Sequence, residues 1–237
     1  MNRLGAMLAA VIMMLLVLAC AYLFWLQQMR NFDQLCAEKD WFKCTAAVPT
    51  DLTLYWPPGN KLILTQRLQS YFSELAGTRS SGAPQLESSL QAASAIAKVS
   101  KLYEERLHLP HLAEAYIRCA VGNYRECTSR ALADLKLSIK DQAVKKTIAV
   151  ENLEALSSGL RALSELYSRH NKFLIAEKAA KESIDVGTQA LALASGDQDV
   201  SDRLHSQLML EYAAHIKLLR MQNRDKEADQ ETLLLQQ

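Results

Sequence analysis

The apolar positions divide the chain into one unbroken apolar run and a long region with helical periodicity. Leu4 to Leu26 form 23 consecutive residues without a charge, between Arg3 and Arg30. A helix rises about 1.5 Å per residue, so the run reaches roughly 34 Å, enough to cross a hydrocarbon core of about 30 Å. The run therefore predicts a membrane anchor over residues 1–30, which contacts the bilayer through residues 4–26.

The length of the run separates an anchor from a cleaved secretory signal. The apolar part of such a signal spans only about 7–15 residues, whereas here the run continues through Tyr22 and Trp25. We therefore expect the segment to be retained, with both rings at headgroup level. An alternative is that Val17-Leu18-Ala19-Cys20 resembles a lipobox, in which Cys20 is lipidated after cleavage. The mostly apolar residues that follow Cys20 argue against this alternative and favour a thiol within the span.

The rest of the chain predicts an almost entirely α-helical domain. Gly (8) and Pro (5) are scarce, and apolar residues recur at helical spacing. Breaks in this pattern indicate turns or loops, and they fall at 48–51, 56–60, 78–84, 109–110, 122–123 and 195–197. The break at 78–84 is the most linker-like. It separates a membrane-proximal helical hairpin with an irregular loop, at 31–78, from a larger helical domain at 84–237, or is itself a long loop between two helices.

A common layout recurs at four places: a helix, a tight polar turn, an aromatic or polar residue, and a helix that opens with a small residue. An aromatic residue past the turn can pack between both helices, and the small residue lets the backbones approach. Three places have both residues, namely Trp41/Cys44, Tyr124/Cys127 and Phe173/Ala176. The fourth place, Asp225/Ala228, keeps only the small residue. The turns lie at Asp40, Asn123, Asn171 and Asn223, which are 83, 48 and 52 residues apart.

In this layout the chain resembles the tetratricopeptide-repeat (TPR) family, in which antiparallel helix pairs stack into a superhelix. The best match runs from about Ala155 to Thr188. The family's packing positions there hold Leu160, Leu163, Ser164, Tyr167, Phe173, Ala176 and Ala180. The family period is about 34 residues, so the wider spacing here requires longer or additional helices. The resemblance implies an all-α fold, with a single N-terminal transmembrane helix followed by a TPR-like array of antiparallel hairpins. An irregular helical bundle is the alternative.

Four of the five cysteines form two pairs with one spacing, Cys36 with Cys44 and Cys119 with Cys127. Each pair straddles a predicted turn, so an antiparallel hairpin would bring the Cα atoms within the roughly 4.4–6.8 Å that a disulfide requires. In this respect only, the chain is similar to disulfide-stapled helical repeats of secreted bacterial proteins. Two disulfides would place the domain in an oxidising compartment, which for a bacterial protein is the periplasm. Alternatively, these cysteines are small buried residues at tight helix crossings.

The charges that flank the span favour the cytoplasmic side of the membrane for the C-terminal domain. Arg3 and the terminal amine lie on one side, and Arg30, Lys39 and Lys43 on the other, which slightly favours a cytoplasmic domain. We give the repeated cysteine spacing more weight. The prediction is therefore a single-pass protein of the bacterial inner membrane with its C-terminal domain in the periplasm.

The composition and motifs favour neither an enzyme nor a nucleic-acid-binding protein. The 27 basic residues nearly balance the 26 acidic ones, so the chain has no large excess of positive charge that would attract nucleic acid. His108 and His111 form the one close histidine pair, and no neighbouring cysteine or carboxylate cluster completes a metal shell. The sequence has no glycine-rich phosphate loop, Gly-x-Ser-x-Gly or Cys-x-x-Cys motif. We therefore predict no catalytic activity, no cofactor and no metal.

The combination of an anchor, helical hairpins and no catalytic signature indicates a protein-interaction scaffold. We predict a structural component or assembly factor of an envelope machine for secretion, conjugation or pilus formation, in a multi-subunit complex with membrane or periplasmic proteins. The expected contact regions lie on inner helices, around Lys101 to Tyr116 and Ser157 to Tyr167, and the sequence names no partner. The alternatives are a chaperone-like quality-control adaptor near the translocon and an outer-membrane lipoprotein pilot anchored through Cys20.

Overall fold

A computed structural model describes residues 3–37, 62–63, 65–67, 70, 86–105, 107–137 and 141–235. Within these ranges the chain is all-helical and has no strand, which confirms the predicted fold class at this coarse level. We number the helices α1 (Arg3–Ala37), α2 (Leu86–Glu105), α3 (Pro110–Leu137), α4 (Gln142–Arg169), α5 (Phe173–Leu193), α6 (Gln198–Met221) and α7 (Asp225–Leu234). The chain divides into two compact units, residues 1–78 and 79–237.

The first unit contains α1, which is long and apolar enough to span a membrane. Between Met7 and Leu35 its mean hydropathy reaches 2.7. The consecutive residues Ile12, Met13, Met14 and Leu15 point in different directions around the helix, and each is at least 50% exposed. A helix that is apolar all round requires an apolar environment, so α1 is a candidate span. A signal sequence has the same character, and the retention of α1 therefore stays a prediction.

Several predictions fall outside the described residues. Cys36 lies in α1, but its side chain is not among those described. The others concern Lys39, Asp40, Trp41, Lys43, Cys44, the breaks at 48–51, 56–60 and 78–84, and the irregular loop of the 31–78 hairpin. The structure does not test these features, and they stay predictions.

The second unit is a helical array in which each helix packs against the next one along the chain, from α2 to α7. Helix α4 lies at the centre, because it contacts α2 and α6 as well as its neighbours α3 and α5. Helix α3 thus packs on α2 and α4, and α5 packs on α4 and α6. The described part of the unit therefore has α2, α4 and α6 on one side, with α3 and α5 packed between successive members of that set.

Four predicted turns coincide with helix ends. His108, Asn171 and Asn223 have left-handed backbones with φ of 53°, 57° and 58°, and Gly196 has φ of 104°. Glycine and asparagine adopt this region most readily, so local sequence places three of the turns. Pro110 is the first residue of α3, where its missing N–H has no intrahelical partner to lose. The predicted turns at 109–110, Asn171, 195–197 and Asn223 are confirmed.

The predicted turn at Gly122-Asn123 is wrong, because α3 continues without interruption from Pro110 to Leu137. Val121 and Tyr124 on either side of this dipeptide are both buried. Burial of such side chains contributes about 1.5–3 kcal/mol each, which exceeds the cost of about 1 kcal/mol for a glycine inside a helix. The break that sequence analysis missed lies between Leu137 and Gln142, where Asp141 has φ of 59°.

Candidate interaction surface

Cys119 and Cys127 form no disulfide with each other, so the disulfide predicted between them is wrong. Both lie on α3, and eight residues of continuous helix separate their Cα atoms by about 12 Å. A disulfide requires roughly 4.4–6.8 Å. The prediction failed because its premise, a turn at Gly122-Asn123, is wrong. Cys127 is buried, as the alternative interpretation expected, and Cys20 is an exposed thiol on α1.

The predicted contact region Ser157 to Tyr167 is mainly helix interface and not open surface. Its buried residues are Ser157, Gly159, Leu160, Leu163, Ser164, Leu166 and Tyr167. The region Lys101 to Tyr116 is mixed, with Tyr103 fully buried and stacked on Tyr116 at a centroid distance of 5.2 Å. These two regions therefore serve mainly to join helices of the array.

The described residues contain no group of three or more potential metal-ligating side chains.

The α2/α3 and α4/α5 hairpins of the second unit share a contact that closes each turn. Ser100 on α2 donates its hydroxyl hydrogen bond to the carbonyl oxygen of Ala113 on α3, at 2.7 Å. Ser164 on α4 donates in the same way to Ala176 on α5, at 2.8 Å. Both alanines are fully buried, and their small side chains let the paired helices approach closely. The α2/α3 and α4/α5 hairpins are thus built alike.

An ion pair between successive hairpins also repeats. Lys172, just before α5, binds Glu114 near the start of α3, at 2.6 Å. Arg224, just before α7, binds Glu177 near the start of α5. Hydrogen bonding to Lys172 lowers the pKa of Glu114. Burial opposes ionisation of Glu177, but hydrogen bonds from Lys181 and Arg224 outweigh it and lower the pKa to about 2. Each pair stabilises the stacking of one hairpin on the next.

A buried polar cluster joins α4, α5 and α6. Ser157 and Ser183 donate hydroxyl hydrogen bonds to each other's carbonyl oxygens, both at 2.9 Å. Oε1 of Glu211 is hydrogen-bonded to the Ser157 hydroxyl and lies 3.3 Å from Nε2 of Gln207. The Ser157 hydroxyl is therefore placed to donate both to Oε1 of Glu211 and to the Ser183 carbonyl oxygen, so two acceptors share one hydroxyl proton. Burial raises the pKa of Glu211, and the hydrogen bonds from Ser157 and Gln207 only partly oppose that rise.

The second oxygen of Glu211 explains a glycine in α5. Among the described residues, Oε2 has no hydrogen-bond partner. A Cβ atom at Gly187 would lie 2.7 Å from this oxygen and 3.1 Å from Cδ1 of Leu208. The absence of a side chain at Gly187 therefore lets α6 approach α5 closely. This cluster is interior, so it fixes the helix arrangement and is closed to solvent ligands.

An open groove lies between α6 and α7, which is the last described helix. Its volume is about 590 Å³, and its lining is mostly apolar side chains with two basic ones. The lining residues are Ala213, Ile216, Lys217, Arg220, Met221, Thr232 and Leu235. Arg220 lies 3.7 Å from Asp229, with both side chains more than half exposed. The sequence analysis missed this groove, because its lining comes from two helices whose pairing only the tertiary structure shows.

No protein-family model matches this sequence, and no curated protein gives a match to it. The inference of function therefore starts from α1, the repeated hairpin contacts and the groove between α6 and α7.

Proposed function

We propose that this protein is a membrane-anchored scaffold whose second unit binds other proteins of an envelope assembly. It serves as a structural component or assembly factor of a secretion, conjugation or pilus machine. The observation that carries the proposal is the groove between α6 and α7, with its apolar lining and two basic residues, on a chain that also has a candidate span. Grooves of this kind accept amphipathic helices of partner proteins.

The proposed architecture of the second unit is a TPR-like array. Support comes from the serine–alanine hydrogen bonds, the lysine and arginine ion pairs between hairpins, and the contacts of α4 with both α2 and α6. The left-handed turn residues His108, Asn171 and Asn223 are 63 and 52 residues apart. Helices α2 to α6 have 20 to 28 residues, which accounts for a spacing above the family period of about 34.

The proposed role is binding and not catalysis. Two groups with displaced pKa values serve structural contacts: Glu177 pairs with Arg224 between hairpins, and Glu211 is buried in the interior cluster. Neither group lines the groove. Both carboxyl groups therefore stabilise the packing of the helices, and neither is placed to contact a molecule bound in the groove.

The proposed location is the bacterial inner membrane, with the second unit in the periplasm. Since no disulfide links Cys119 to Cys127, the support for this side is reduced to Cys36 and Cys44, against Arg30, Lys39 and Lys43. A Lys178→Cys variant tests the side, because Lys178 is exposed on α5. If the second unit is periplasmic, a membrane-impermeant maleimide should label the new cysteine in intact spheroplasts. Labelling only after permeabilisation would place the unit in the cytoplasm.

Purification of the tagged protein from its native host at native expression level tests the scaffold function. A gentle detergent should preserve complexes, and mass spectrometry should identify the bound proteins and their ratios, with an untagged strain as the control. We expect a fixed set of envelope proteins at constant ratios. A variable, substoichiometric set of secreted proteins would replace the scaffold with the quality-control adaptor, and no bound protein would overturn the proposal.

A further inference from the structure

We propose that the groove between α6 and α7 binds one helix of a partner protein, and that this helix carries an apolar stripe flanked by acidic residues. The inference rests on the proposed scaffold function, and it names the surface and the chemistry of the partner. It follows from comparing this groove with the preceding groove between α4 and α5.

The α4/α5 and α6/α7 hairpins match each other at a shift of 52 residues. Their left-handed turn residues are Asn171 and Asn223. The next residue in each turn donates its backbone N–H to the same position of the preceding helix: Lys172 to Tyr167 at 2.9 Å, and Arg224 to Leu219 at 3.0 Å. Buried alanines follow at Ala176 and Ala228, also 52 residues apart. Equivalent positions of the two grooves can therefore be paired residue by residue.

The groove between α4 and α5 is filled by the next helix, α6. Glu211 on α6 is hydrogen-bonded to Ser157 on α4, and its Oε2 lies against Gly187 on α5. Gln207 on α6 also donates to the hydroxyl of Ser158 on α4, at 2.9 Å. A groove of this type is therefore shaped to accept a helix. The groove between α6 and α7 is its equivalent, but no described helix fills it.

The interior of the open groove favours apolar side chains on its occupant. The shift of 52 residues places Met209 and Leu235 where the filled groove has Ser157 and Ser183. The two polar residues that receive Glu211 in the filled groove are thus replaced by apolar ones. Leu235 also packs against the core cluster that contains Ile216. An occupant that placed a carboxyl here would bury it without a hydrogen-bond partner, which is strongly unfavourable; leucine or alanine fits.

The charges of the groove favour acidic residues beside that apolar stripe. Lys217 and Arg220 occupy the positions that Glu165 and Ser168 hold in the filled groove. Both basic residues are exposed, and Lys217 forms no ion pair with any described residue. The contact of Arg220 with Asp229 is long and solvent-exposed, so it contributes little stability. Carboxylates on a partner helix would therefore meet two available cations across the groove.

Designed helical peptides test this chemistry with the full-length protein in nanodiscs of zwitterionic lipid. Two fluorescent peptides of about five helical turns share one stripe of Leu and Ala, with Glu flanking it in one peptide and Lys in the other. We expect fluorescence anisotropy to show binding of the Glu peptide that weakens with added salt. The Lys peptide should bind about fivefold or more weakly. Empty nanodiscs report partition into lipid.

Charge reversal identifies the binding surface. Lys217→Glu combined with Arg220→Glu should reverse the preference, so that the Lys peptide binds more tightly than the Glu peptide. Lys178→Glu is the matched control, since Lys178 is an exposed lysine on α5 outside the groove lining. It should leave the preference unchanged.

Several results would overturn the inference. These are equal affinity for both peptides, no binding of either peptide, or an unchanged preference after charge reversal. A dimer of the wild-type protein that the double reversal dissociates, measured by light scattering, would assign the groove to a second copy of this chain instead. If the reversed variant keeps its full set of co-purified envelope proteins, the scaffold function stands and the groove is not its binding surface.

Discussion

Ser157 on α4 and Ser183 on α5 each donate a hydroxyl hydrogen bond to the carbonyl oxygen of the other, both at 2.9 Å. This exchange requires small residues and a close crossing of the two helices. Glu211 of α6 enters the same junction, and the three side chains are at most 1% exposed. The junction therefore couples the protonation of one carboxyl to the packing of three helices.

Glu211→Gln is expected to stabilise the protein at neutral pH. Burial raises the pKa of Glu211 above its ordinary value of 4.5, so the wild-type contribution is fully present below about pH 4.5 and is lost as the pH rises through the folded pKa. Glutamine keeps the neutral form at every pH. The gain at about pH 7 should be of the order of 1 kcal/mol, measured from thermal unfolding by circular dichroism in mild detergent.

A matched change on the surface separates this effect from the loss of one negative charge. Glu151→Gln on the exposed side of α4 should leave the pH dependence as in the wild type. If Glu211→Gln also leaves it unchanged, the Glu211 carboxyl is not the buried acid that we describe.

Glu177→Gln is expected to destabilise the protein, because it weakens the charged contacts with Lys181 and Arg224. The pKa of Glu177 is lowered to about 2, so its contribution is present above about pH 4.5 and is lost as the pH falls towards about 2. The loss at neutral pH should be about 2 kcal/mol. Glu105→Gln is the control, since its pair with Lys101 is an exposed pair at 3.8 Å. Equal effects of both changes would contradict a structural role for the Glu177 contacts.

Gly159→Ala is expected to destabilise the protein, whereas Gly122→Ala is not. A Cβ at Gly159 would lie 2.9 Å from Cδ2 of Tyr124, a buried ring on α3. Overpacking of this kind costs about 1–3 kcal/mol. At Gly122, no described atom lies within 4 Å of the added Cβ, so the higher helix propensity of alanine should give up to about 1 kcal/mol of stabilisation. Urea titrations of both variants measure the difference, and the reverse order would exclude close packing of α3 on α4 at Gly159.

Thiol mapping of the unreduced, denatured protein should find Cys119 and Cys127 both modified by an alkylating reagent. Mass spectrometry of the digested protein should yield no peptide in which they are linked. A linked peptide would require α3 to be broken near Gly122. The same digest tests the remaining predicted disulfide, since a linked Cys36–Cys44 peptide would support the periplasmic side and two alkylated cysteines would remove that support.

Local sequence was sufficient for the features that depend on near neighbours. Apolar residues at helical spacing predicted the all-α class, and the uncharged run from Leu4 to Leu26 predicted α1. The turns at Asn171, Gly196 and Asn223 were readable because their left-handed backbones favour these residue types. Pro110 marked the start of α3 for the same kind of local reason.

The sequence by itself thus determined the all-helical class, the candidate span and most turns of the described residues, because those depend on local backbone preference and on the spacing of apolar residues. Only the tertiary structure decided that α3 continues through Gly122-Asn123, since burial of Val121 and Tyr124 outweighs a local turn preference. It also decided the pairing of Lys172 with Glu114, 58 residues apart, and of Ser157 with Glu211, 54 residues apart. Side chains so far apart meet only after the helices have packed, and the groove between α6 and α7 forms by the same packing.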